Sequence, residues 1–127
     1  MRRVLVLLFI TGLIAVSVQA GGRRSQQAPP RLFEPTERAD LRGKNELLFR
    51  WGNEGGGSGI SEYQFKLYKG TQTVESGLMR AETLPASKDR FSVPAELFEN
   101  GQTYTWQMRG TGSAKTRPAY TNFKVEK

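Results

Sequence analysis

From residue 46 onward, apolar and polar side chains alternate with a period of two in stretch after stretch. Leu47, Phe49 and Trp51 form one such set, and Tyr63, Phe65 and Leu67 a second. Tyr104, Trp106 and Met108 form a third, and Phe123 and Val125 a fourth. This period places every second side chain on one face of a strand, so each set predicts a strand with one buried face. Shorter signals join them. Leu32 and Phe33 ahead of Pro35 predict a first strand at a sheet edge, because proline cannot donate to a ladder. Thr73–Met79 predicts a short strand interrupted at Gly77, and Phe91 and Val93 predict another that ends at Pro94. Ala81–Asp89, polar and carrying Pro85, reads as a connection, and Ala95–Glu99 as one helical turn. Beyond the first 20 residues no run of 3.6-residue period is long enough for a three-turn helix. The predicted class is all-β.

Two long loops interrupt the pattern. Gly52–Gly59 contains five glycines. A glycine-rich loop holds phosphate when a helix N-terminus follows it, but Ile60–Tyr68 alternates as a strand, so this loop reads as a flexible connection. Gly110–Pro118 superficially has phosphate-loop character in Lys115 and Thr116, with the wrong glycine spacing and no helix after it.

Phe98, the turn pair Asn100-Gly101 and then Tyr104 opening a strand form the sequence of a tyrosine corner. In that device the ring packs under the connection between two sheets and the hydroxyl bonds backbone a few residues upstream. The stretch resembles the E–F corner of a fibronectin type III domain. Phe98 stands where that family usually has Leu, and Asn100 where it often has Pro. Trp51 at the end of the second strand, and Ile60 three residues before Tyr63, also fit the family. The resemblance covers residues 30–127, and the strand Tyr104–Arg109 looks most like bacterial exported versions of the domain. It implies a β-sandwich of about seven antiparallel strands, with disulfide-free immunoglobulin-like sandwiches as the nearest alternative of the same architecture. It also implies a core built on Trp51, Tyr63, Phe98, Tyr104 and Trp106. The Tyr63 hydroxyl is expected to reach solvent at the end of its strand.

Composition narrows the chemistry. The 127 residues include no cysteine and no histidine, which removes disulfides, thiolate chemistry and the commonest general base and metal ligand. No cofactor or metal is expected. The formal charge is +7, but the basic residues are scattered among glutamates and predict an ordinary surface, with no nucleic-acid partner. Met1–Ala20 has Arg2-Arg3, an uncharged apolar run and the small-x-small end Val18-Gln19-Ala20, the form of a cleaved export signal. Residues 21–30 read as a flexible leader and residues 31–127 as one domain.

Few residues remain as candidates for function. In fibronectin type III domains the F–G loop, here Gly110–Pro118, often binds partners, and Lys115 and Arg117 are the candidates to meet an acidic one. Arg109-Gly110-Thr111 is not the Arg-Gly-Asp tripeptide some such domains use. Glu96 and Glu99 lie beside a surface turn, where a catalytic carboxylate pair would need a cleft. Tyr68 and Tyr120 are expected near an outer face, where a tyrosine can stack on a sugar or peptide. The expected function is an exported, non-catalytic module that binds a protein or polysaccharide at the cell envelope through loops or an edge strand. The alternative is a membrane-tethered component of an envelope complex whose signal is not cleaved.

Overall fold

A computed structural model of the chain describes residues 26–52 and 59–127. The expected export signal, residues 21–25 of the leader and most of the glycine loop lie outside the described residues. Two sheets face each other. One is five-stranded, in the order β3 (Glu37–Asp40), β10 (Ala119–Glu126), β8 (Thr103–Gly112), β5 (Ile60–Lys69) and β6 (Leu78–Pro85). The other is three-stranded, in the order β2 (Arg31–Glu34), β4 (Glu46–Gly52) and β7 (Arg90–Pro94). A small parallel pair, β1 (Gln26–Gln27) with β9 (Lys115–Thr116), sits apart. Single turns of 3-10 helix at Glu75–Gly77 and Ala95–Leu97 complete the described elements.

The core lies between the sheets and is dominated by aromatic rings. Phe49 of β4 is its centre, with ring centroids 5.0 Å from both Phe65 and Trp106 and 5.9 Å from Phe123, all edge-to-face. Trp51 and Tyr63 pack at 6.2 Å toward one end of the sandwich, and Phe98 and Tyr104 at 5.0 Å toward the other. Trp51, Tyr63, Phe98, Tyr104 and Trp106 are each at most 2% exposed. Burying one such ring contributes roughly 2–3 kcal/mol, and edge-to-face pairs add about 0.5–1.5 kcal/mol. That is how a chain without cysteines holds two sheets together.

The strand count differs from seven for identifiable reasons. The first strand divides at Thr36: β2 pairs antiparallel with β4, and the chain then crosses to the other sheet, where β3 pairs parallel with β10. The indole N–H of Trp106 donates to the Pro35 carbonyl at 2.9 Å inside this crossing and ties it to the core. The short β1 and β9 account for the remaining strands, and their parallel pairing begins inside the stretch expected to be a flexible leader. Pro30 is buried as well.

The sixth strand is also displaced. The segment expected as a strand over Thr73–Met79 is a turn for most of its length, and the ladder runs over Leu78–Pro85, through residues read as a connection. Alternation failed there because Arg80 and Glu82 pair with Leu67 and Phe65, so they face inward. At a sheet edge such charges are tolerated: they join in an ion pair of 2.9 Å, and the Arg80 guanidinium stacks 5.4 Å from the Phe91 ring. Gly77 precedes this strand for a steric reason, since a Cβ there would lie 2.8 Å from the Lys69 carbonyl oxygen.

Candidate interaction surface

The two long loops meet at one end of the sandwich. The Ala114 amide donates to the Gly59 carbonyl at 3.1 Å, and the Arg117 amide donates to the Gln27 carbonyl at 3.0 Å. The F–G loop is therefore held from both sides, by the base of the glycine loop and by the leader. Its pivot is Thr116, which is fully buried. The Thr116 hydroxyl accepts from the Gly110 amide at 2.9 Å and donates to the Arg117 carbonyl at 2.9 Å. Gly110 has to be glycine, because a Cβ would lie 2.9 Å from methyl carbons of Ile60 and Thr116.

Burying Thr116 turns its neighbours outward. Lys115 and Arg117 are both exposed, and neither has an ion pair among the described residues. The structure thus brings the two candidate cations together on one rigid loop. The backbone of Lys115 pairs with Gln26, so this segment is not free along its whole length. That pairing had no signal in the sequence.

The other candidates separate. Tyr120 is 65% exposed on the outer face of the five-stranded sheet. Tyr68 shares that face but is only 3% exposed, contrary to expectation, because a bulge and the turn at Glu75–Gly77 cover it. Burial, helped by the nearby Glu75 charge, pushes its phenol pKa up. Glu99 pairs with Lys69 at 3.2 Å, while Glu96 is exposed on its own turn, so the two do not act together. Among the described residues no cluster of three or more His, Cys, Asp or Glu is placed to hold a metal ion.

Tyr63 departs from expectation too. Its hydroxyl does not reach solvent: the residue is fully buried, and the hydroxyl has no hydrogen-bond partner among the described residues. The indole N–H of Trp51, beside it, is likewise buried and unpartnered. Burial alone raises the Tyr63 pKa.

The edge strands β6 and β7 are poor candidates for adding a partner's strand. On β6 the inward Arg80 and Glu82 and the terminal Pro85 interrupt an apolar edge, and β7 is only five residues long and ends in Pro94. Inward charges, prolines and short strands are the devices that keep sheet edges from pairing. An open groove of about 360 Å³ lies between Pro35–Leu41 and Glu46–Leu48, beside the half of β4 that β2 does not pair with. Arg50–Glu34 and Arg42–Asp40 ion pairs of 2.8 and 2.9 Å engage two of its carboxylates, while Lys44 and Glu46 line it without an ion pair among the described residues.

No family model and no curated protein matches the chain. Solved structures do. The third fibronectin III domain of a human protein superposes with a TM-score of 0.50 at 14% identity, over 80% of this chain and 83% of that one. The spore cortex lytic enzyme SleM of Clostridium perfringens superposes with a TM-score of 0.48 at 8% identity, over 78% of this chain. The chain spans only 27% of that enzyme's length. The two facing sheets agree with the first of these likenesses. The chain has the fold of a fibronectin type III domain.

Proposed function

We propose that the protein is a non-catalytic binding module that engages a protein or polysaccharide partner at the cell envelope through the F–G loop end of the sandwich. The observation that carries this reading is the pairing of an anchored loop with two cations that have no ion pair among the described residues. Thr116 anchors the loop from inside, and Lys115 and Arg117 stand outward on either side of it. Pre-ordered side chains lose less entropy on binding, so a loop fixed in this way is suited to recognition. The fold commonly serves as an interaction module, and the loops rather than the blocked edges are its accessible elements.

Export is part of the proposal and rests on the first 20 residues, with their paired arginines, apolar run and small-residue end. N-terminal sequencing of the protein recovered from cells tests it. A start near Gly21 supports a released module, whereas an intact Met1 favours the tethered alternative. The binding reading is tested by capture from envelope fractions with the native protein and with a Lys115→Glu/Arg117→Glu variant of unchanged circular dichroism. Loss of a specific partner in the variant supports the reading, and identical capture by both proteins overturns it.

A further inference from the structure

The pairing register places a second set of cations on the same side of the molecule. On the outer face of the five-stranded sheet, Lys66 of β5 stands opposite Gln107 of β8, which stands opposite Tyr120 of β10. The next row pairs Gln64 with Arg109, and Lys124 lies further along β10, opposite Thr103. Neighbouring strands are about 4.8 Å apart, so Lys66 and Tyr120 stand roughly 10 Å from each other with an amide between them.

None of Lys66, Arg109 and Lys124 has an ion pair among the described residues, and Lys115 and Arg117 continue the set on the adjoining loop. The acids are placed differently. Asp40 and Glu126, at the β3 edge of this face, are engaged by Arg42 at 2.9 Å and Arg38 at 3.9 Å. Glu62 stands near one end of β5, and Glu75 and Glu96 sit in turns outside the strands. The centre of the face is therefore cationic and rich in amides, with one exposed aromatic ring.

We propose that this face, continuous with the F–G loop, binds an acidic polysaccharide bearing carboxylate or sulfate groups and lying across β5, β8 and β10. The proposal rests on the binding-module reading and assigns that module's partner class. Spaced cations match charges repeated along a stiff anionic chain. The amides of Gln64 and Gln107 offer hydrogen bonds to sugar hydroxyls, and Tyr120 offers a ring for stacking. A peptide would use an open edge, an apolar groove or an aromatic-lined proline site, none of which this face presents. Single-stranded nucleic acid is read by several stacked aromatics, whereas the face exposes Tyr120 alone.

Gel retardation of the purified protein through polygalacturonate, heparin and neutral dextran tests the proposal, with labelled oligothymidylate titrated alongside. Retardation by polygalacturonate points to carboxylates, by heparin to sulfates, and neither should persist at high salt. Lys66→Glu/Lys124→Glu should weaken the interaction by at least about tenfold. Lys88→Glu, which reverses a cation in the turn between β6 and β7 that has no ion pair among the described residues, should leave it nearly unchanged. Tyr120→Ala should weaken binding where Tyr120→Phe retains it. Circular dichroism identifies any variant that has unfolded. The proposal is overturned if the face and control variants behave alike, if dextran retards the protein equally, or if oligothymidylate binds more tightly than either polyanion. If Lys115→Glu/Arg117→Glu loses a captured partner while the face variants keep theirs, the sheet-face proposal fails and the binding module stands. If neither pair affects capture, both fail.

Discussion

The backbone amide of Glu99 donates a hydrogen bond of 2.8 Å to the hydroxyl of Tyr104, five residues further on. The bond closes the connection from β7 to β8 over the ring that Phe98 packs against at 5.0 Å. Beside it, the Lys127 ammonium donates to the Phe98 carbonyl at 2.9 Å, so the chain end supports the same turn. Tyr104→Phe keeps the packing and leaves the Glu99 amide without a partner. The variant should lose about 1–3 kcal/mol. Urea titration should show a lower midpoint at constant slope, and an unchanged midpoint would remove the corner from the account.

Tyr63→Phe should behave in the opposite way. Its hydroxyl is buried and has no hydrogen-bond partner among the described residues. Removing it eliminates a desolvated polar atom and leaves the packing intact, so stability should hold or rise slightly. A loss above about 1 kcal/mol in the same titration would show that the hydroxyl is satisfied.

The two tryptophans should separate for a related reason. Trp106 donates to the Pro35 carbonyl, whereas the Trp51 indole N–H donates to nothing among the described residues. Phenylalanine at either site loses volume, but at Trp106 it also strands a buried carbonyl. Trp106→Phe should therefore cost about 1–3 kcal/mol more than Trp51→Phe. Trp51→Ala, which opens a full cavity, should cost about 3–5 kcal/mol. Equal losses for the two phenylalanine variants would mean that the Trp106 bond adds nothing net.

Gly110→Ala should loosen the F–G loop. A Cβ there would lie 2.9 Å from Ile60 Cγ2 and Thr116 Cγ2, so the Gly110–Thr116 hydrogen bond has to give way. A cost of about 1–3 kcal/mol is expected. Hydrogen exchange should show faster exchange at residue 110, and retained protection there would argue that Thr116 is not the loop's anchor.

Stability should be flat across neutral pH and fall at both extremes. Burial raises the pKa of Tyr63, Tyr68 and Tyr104; at Tyr104 the bond from Glu99 partly offsets this. A raised value means that the folded state retains its proton when the unfolded chain has lost it. The tyrosine contribution is thus complete below about pH 10 and is lost as pH rises through the folded values. Hydrogen bonds from Arg42 and Arg90 lower the pKa of Asp40 and Asp89, whose contribution is present above about pH 4 and disappears as pH falls through their folded values. Both aspartates are exposed, so the acid effect is small. The sequence has no histidine and no cysteine, the side chains whose ordinary pKa values lie between about 6 and 9. Denaturation midpoints across pH 3–12 check this, and a step near pH 6.5 would contradict it.

The amino-acid sequence alone determined the central strands and the corner. In β4, β5, β8 and β10 the inward positions are apolar save for Lys69 and Thr121, and the opposite sheet covers the apolar ones, so a two-residue period is visible without knowing the partner. The corner is equally local: Phe98, Asn100-Gly101 and Tyr104 lie within seven residues. Only tertiary structure decided the rest. The sixth strand was hidden because an edge lets Arg80 and Glu82 face inward as an ion pair, which erases the apolar period. The same local rule left Tyr68 on an outer face, but a covering turn buries it. Whether the Tyr63 hydroxyl meets water depends on what covers its end of the sandwich, not on its strand. The pairing of Gln26 with Lys115 joins residues 89 positions apart. The cationic face is assembled in the same way, from β5, β8 and β10, by a register that exists only once those strands are side by side. Local periodicity reports what each segment buries, whereas long-range pairing sets which exposed side chains become neighbours, and the proposed site depends on the second.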